Sequence, residues 1–113
     1  MKALCIKQPR ANLVAAGKTG IEARSWATRH RGDLLIVSSK QPNIAPAGMA
    51  LAIAELVDCR PMTEQDEAAA GCPKFDGAFA WVLRNVRRVE PFAVLGRRRL
   101  FDVELPKGRK RKA

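Results

Sequence analysis

Residues 17 to 32 read GKTGIEARSWATRHRG, which places Lys18, Glu22, Arg24, Arg29, His30 and Arg31 close together, with Trp26 among them. A single carboxylate in a basic, glycine-punctuated run has two readings. Glu22 could be an intramolecular ion-pair partner, or it could belong to a site. Glu22 and Arg24 lie two apart, so on a strand they share one face. There Arg24 could bind a phosphate or hold Glu22 ionised. Glu22 could accept a hydrogen bond from a base amino group or act as a general base on water. The other reading is an ion pair that satisfies polar groups at the rim of the fold.

The neighbouring residues carry similar alternatives. Lys18 follows Gly17; as a catalytic group it needs burial to lower its pKa, whereas as a binding group it needs only reach. His30 stands between Arg29 and Arg31, whose charges disfavour its protonation. It could move a proton in RNA cleavage with Lys18 or Glu22 as its partner, or be an exposed loop histidine. Trp26 could stack on a base or pack in the core or at its rim. Further along, Ser38, Ser39 and Lys40 end a predicted strand and could contact a phosphate or cap the strand. Arg97, Arg98 and Arg99 precede the last predicted strand. With Arg84, Arg87 and Arg88 they could form a basic stripe that follows a nucleic-acid backbone.

The whole chain limits what such groups serve. Its 113 residues suffice for one domain with one modest core. The composition, 47% hydrophobic and 28% charged, is that of a globular protein. No apolar run approaches the ~20 residues that span a bilayer, and MKALCIKQPR lacks the features of a secretory signal. A soluble, cytoplasmic protein with no membrane association is expected. Cys5, Cys59 and Cys72 are widely spaced with no CxxC pair, and His30 is the only histidine. No metal site and no cofactor are therefore expected. Cys5 and Cys59 read as small buried hydrophobes, and Cys72 as a loop residue without a local base.

The formal net charge is +10. Lys107, Arg109, Lys110, Arg111 and Lys112 supply five positive charges, so the rest of the chain is basic by itself, at +5. The natural partner is a polyanion, nucleic acid first. The segment 107–113 is expected to be a disordered basic tail that adds salt-dependent affinity or solubility.

Periodicity supplies the elements that must position these residues. Strands are predicted at 3–7, 21–24, 33–38, 78–89 and 100–105. A short helix over 10–16 is opened by Pro9 and ended by Gly17. In MALAIAELVDC (49–59) both alternating faces are apolar, which favours a long covered strand. Thr63 and Asp66 form a capping-box pattern ahead of a short helix through Ala70. The sum is a small α+β domain over residues 1–106, with about six strands, short flanking helices and a closed or nearly closed barrel.

The ordered series of motifs resembles an ASCH domain, a branch of the PUA-like superfamily, of the small bacterial and phage type. It comprises Gln8-Pro9-Arg10-Ala11, Gly17 through Arg24, Ser25-Trp26, Arg31-Gly32 with Leu34-Leu35-Ile36, AIAELVDCRPM, FAWVLRNVRRVEPF and GRRRLFDVEL. The resemblance covers nearly all of residues 2–106 and implies a β-barrel whose cleft is lined by the Gly17–Arg24 segment. PUA-like domains generally bind RNA; some ASCH proteins cleave RNA or deacylate N4-acylated cytidine. The chain departs from the pattern at Arg10, where related sequences commonly carry tryptophan. It departs again at Lys18, four residues before Glu22, with Thr19 where the deacylating relatives carry lysine.

The expectation is an RNA-favouring nucleic-acid-binding module, with Lys18, Arg24, Trp26, Arg29, Arg31, Ser39, Lys40, Arg97, Arg98 and Arg99 as contacts. The alternatives are a hydrolase of RNA or of a modified nucleoside using Lys18, Glu22 and His30, and an accessory domain that binds a protein partner.

Overall fold

A computed structural model of the chain describes residues 1–106; the expected basic tail, 107–113, lies outside the described residues. Six strands form one mixed sheet. They are β1 (Lys2–Ile6), β2 (Ile21–Arg24), β3 (Gly32–Ser38), β4 (Met49–Pro61), β5 (Phe79–Ala93) and β6 (Phe101–Asp102). The spatial order is β2-β5-β4-β3-β1-β6, with β1 and β3 parallel and every other pair antiparallel. Among the described residues β2 and β6 do not pair, so the sheet is barrel-like without being closed by hydrogen bonds. The last strand is shorter than its apolar pattern predicts: only Phe101 and Asp102 pair with β1, opposite Ala3 and Lys2, followed by a 2.8 Å hydrogen bond from the Val103 amide to the Met1 carbonyl.

Period-two alternation explains the long buried strands. Leu34 and Ile36 of β3 face one apolar cluster, with Leu4, Ile6, Ala52, Ala54, Leu56 and Trp81. Leu35 and Val37 face another, with Ala3, Ala50, Ile53, Val89 and Phe92. Both sides of the central strands are therefore covered, as the pattern in 49–59 anticipates. Register shifts in the β4–β5 pairing, between Ala50/Ala52, Ile53/Glu55 and Leu56/Asp58, let these two long strands bend.

Helix α1 (Arg10–Ala15) lays Ala11, Val14 and Ala15 on the first cluster. The buried Gln8 side chain secures its start. Its Nε2 donates to Ser38 Oγ at 2.9 Å and to Asn12 Oδ1 at 3.1 Å, while its Oε1 accepts from the Asn12 amide at 3.2 Å. Ser38 is thereby committed to tying the helix entry to the end of β3.

The Thr63 capping box is present ahead of a single 3₁₀ turn, Glu64–Asp66, and of α2 (Glu67–Ala70), which closes at Gly71 in the left-handed region. Arg60 donates to both Asp66 carboxylate oxygens at 2.7 and 2.9 Å, and the Thr63 amide donates at 2.8 Å. The Arg60 hydrogen bonds, followed by the Thr63 amide, hold the Asp66 carboxyl well below its ordinary value of 3.8. A group whose folded pKa is lowered contributes stability above its unfolded pKa and loses it as pH falls toward the folded value. Asp66→Asn is accordingly expected to melt below the wild type at neutral pH. The gap should close as pH falls below 3.8, in thermal melts followed by circular dichroism.

No helix among the described residues is long and apolar enough to cross a membrane.

Candidate nucleic-acid interface

Because β1 and β3 run parallel, their C-terminal ends emerge side by side, and the residues that follow them, Lys7 and Ser39, reach one cleft of about 620 Å³. The end of β2 contributes Arg24, Ser25 and Trp26, the start of α1 contributes Arg10, and the approach to β6 contributes Arg97, Arg98 and Arg99. Lys7, Arg10, Arg24 and the three consecutive arginines thus converge on one hollow, and no Asp or Glu lines it among the described residues. Such a concave surface of one sign focuses its potential and attracts polyanions.

Glu22 lies just behind this wall, on the same strand face as Arg24. It is 2% exposed, and Arg24 Nη1 donates to its Oε2 at 3.2 Å and to the Cys5 carbonyl at 3.2 Å. Its strand partner across β5 is the fully buried Trp81. Burial pushes the Glu22 carboxyl above its ordinary value of 4.5, against the charges of Arg10 and Arg24 and the hydrogen bond from Arg24. The ion pair is part of the fold, and its arginine also faces the cleft.

Trp26 is fixed on several sides. Trp81 Nε1 donates to the Trp26 carbonyl at 3.0 Å, and the two rings meet edge-to-face at 4.7 Å and 79°. The guanidinium groups of Arg24 and Arg99 lie 5.7 and 5.1 Å from the Trp26 ring centroid, within cation–π range. Arg99 adopts φ +55°, in the left-handed region that non-glycine residues seldom occupy.

Cys5 sits at the back of the cleft, where burial pushes its thiol above the ordinary value of 9.0, opposed by the Arg97 backbone and by the Arg24 charge. It is a protonated thiol at neutral pH rather than a nucleophile. Among the described residues no group of three or more His, Cys, Asp or Glu side chains could hold a metal ion.

Of the residues singled out in the sequence, Arg24, Trp26, Ser39, Arg97, Arg98 and Arg99 come together here. Lys40 lines an adjoining hollow of about 330 Å³ that shares Cys5, Ser39, Arg97 and Arg98 with the cleft. Its stem folds over Gly48, whose φ of +70° suits glycine. Lys18 lines a separate depression with Arg88, beside the end of α1. Thr19 is buried.

Arg29, His30 and Arg31 occupy the loop between β2 and β3, and none of them lines the cleft. His30 Nε2 is 3.0 Å from the Asp33 carbonyl. Arg31 donates to the carbonyls of Thr28 and His30 and lies 3.7 Å from an Asp58 carboxylate oxygen.

The stripe expected from six arginines is not continuous. Arg87 pairs with Asp33 at 2.6 Å, and Arg84 donates to the carbonyls of Leu83 and Gly20. Lys7, Arg10 and Phe75 are lining residues that were not among the contacts expected from the sequence. Arg10 carried a signal, since it stands where related sequences have tryptophan; Phe75 carried none.

Comparison with known proteins fits this fold. The ASCH domain family matches residues 4–93. Activating signal cointegrator 1 from Mus musculus and from Homo sapiens is 25% identical over 127 residues, covering 89% of this chain and 22% of either relative. The chain thus spans less than a quarter of those proteins' length. Two crystal structures share the fold: ASCH from Zymomonas mobilis, with TM-score 0.59, 16% identity and coverage of 82% of this chain and 73% of that one, and a mutant of the same protein, with TM-score 0.62, 13% identity and coverage of 82% and 75%. With the match extending over most of the sequence and the same fold in both crystal structures, this chain belongs to the ASCH domain family.

Proposed function

We propose that this protein is a nucleic-acid-binding module whose cleft takes a phosphodiester backbone, with RNA favoured over DNA. The observation that carries this reading is the convergence of Lys7, Arg10, Arg24, Arg97, Arg98 and Arg99 on one cleft without a lining carboxylate among the described residues. The preference for RNA rests on the PUA-like resemblance.

Retention of labelled single-stranded RNA and matched DNA across a salt series tests it. RNA should bind more tightly, and its affinity should fall linearly on a log–log scale. The six cleft cations contribute at most about 4 to the slope if each neutralises one phosphate of a single strand. Absence of retention at low salt, or retention that ignores salt, would overturn the reading.

One observation favours a hydrolase as the second reading. Glu22 is a buried carboxyl raised above its ordinary value beside a cleft, which is how a general base is prepared. None of Glu22, Lys18 and His30 lines that cleft, so Glu22 would act from behind the Arg24 wall and without the partners expected of it. Product appearing in the same incubations, and lost in Glu22→Gln, would move the reading there. Salt-resistant capture of a protein with no affinity for nucleic acid would instead point to an accessory role, in keeping with the cointegrator name of the curated relatives.

A further inference from the structure

Two apolar side chains at the cleft have no packing role that accounts for their exposure. Phe75 lines the main hollow, is 41% exposed and belongs to none of the three apolar clusters. It sits in a short segment between Gly71 (φ +69°) and Gly77 (φ +75°). Leu95 lines the adjoining hollow and is 72% exposed. Arg97 and Arg98, both exposed, belong to the walls of both hollows and so stand between the two apolar seats.

Trp26, the aromatic that the sequence offers for stacking, is already engaged by its edge-to-face contact with Trp81 and by the guanidinium groups of Arg24 and Arg99.

We infer that Phe75, and not Trp26, is the stacking platform for an unpaired base, with Leu95 seating a neighbouring nucleotide across the Arg97–Arg98 ridge. This inference rests on the nucleic-acid reading above. Stacking needs an open base face, which a paired base inside a duplex does not offer. Arginines between two apolar seats match a phosphate between two bases. The occupant is therefore a single-stranded segment of at least two nucleotides.

The test measures fluorescence anisotropy of labelled single-stranded RNA tetranucleotides, a mononucleotide and an RNA duplex with wild type, Phe75→Ala, Phe75→Trp and Leu95→Ala. Both positions are exposed, and thermal melts check that each variant folds. Phe75→Ala should weaken tetranucleotide binding about 10-fold, in the range of one lost base–aromatic stack. The salt slope and the duplex affinity should stay as they were, and Phe75→Trp should restore binding. Leu95→Ala should weaken the tetranucleotide and leave the mononucleotide unchanged.

Wild-type affinity in both alanine variants, or equal losses on single strand and duplex, would overturn this inference and leave the proposed function standing. Failure of the wild type to bind any of these probes would overturn both.

Discussion

With alanine at positions 97, 98 and 99 together, RNA affinity is expected to fall on the order of 100-fold at ~0.1 M salt, as three phosphate contacts are lost. Each single-strand phosphate contact contributes about 0.7 to the log–log salt slope, so that slope should shrink by about 2. The two effects belong together, because the guanidinium groups act by displacing counterions. A loss of affinity with an unchanged slope would mean that these arginines shape the cleft rather than meet phosphates. All three side chains are exposed, so the fold should survive their removal. Arg88→Ala is the matched control. It removes one exposed positive charge from a different depression and should change affinity little.

Arg24→Ala is expected to destabilise the fold by about 3 kcal/mol at neutral pH, because it leaves a buried carboxylate without its hydrogen-bonding partner. Glu22 is 2% exposed, and the charge of Arg10 alone would then oppose its desolvation. The pH dependence follows from the direction of the Glu22 shift. Its folded pKa lies above the unfolded value of 4.5, so the folded protein holds the proton more tightly. The cost of the ionised form is absent below 4.5, grows as pH rises through the folded value, and is constant above it. Removing Arg24 raises the folded value further.

Urea unfolding should therefore show the deficit of Arg24→Ala at its largest at pH 7 and narrowing toward acid. Glu22→Gln combined with Arg24→Ala should recover most of the lost stability, because a neutral amide is far cheaper to bury than a carboxylate. Wild-type stability in Arg24→Ala at pH 7 would show that Glu22 does not depend on this ion pair.

Much of the fold was legible along the chain because its signals are local. Period-two alternation located β1, apolar runs such as DLLIVS located β3, and the apolar character of both faces of 49–59 marked a covered central strand. Thr63 and Asp66, three residues apart, announced the capping box. Pro9 and Gly17 bracketed the helix. The ordered motifs from Gln8-Pro9 to FAWVLRNVRRVEPF carried the family, which the match over residues 4–93 bears out; the closing GRRRLFDVEL lies beyond that match. Strand ends were less legible. β5 runs on to Ala93, where it still pairs with Met49 at the start of β4, and β6 stops after two residues; pairing with a distant strand, not local pattern, decides where a ladder ends.

The site divides along the same line. Residue types and charge pointed to a basic surface, and the spacing of Glu22 and Arg24 placed both on one strand face. Which cations meet was decided by the tertiary structure alone. Lys18 and Glu22 are four residues apart, yet Lys18 leaves on the outer side of α1 while Glu22 turns inward beside Trp81. Arg10 and Arg97 are 87 positions apart and share a wall, because the parallel pairing of β1 with β3 and the antiparallel pairing of β1 with β6 draw those segments to one edge. Local spacing dictates which face of its own element a side chain occupies; only the pairing of distant strands decides what that face meets.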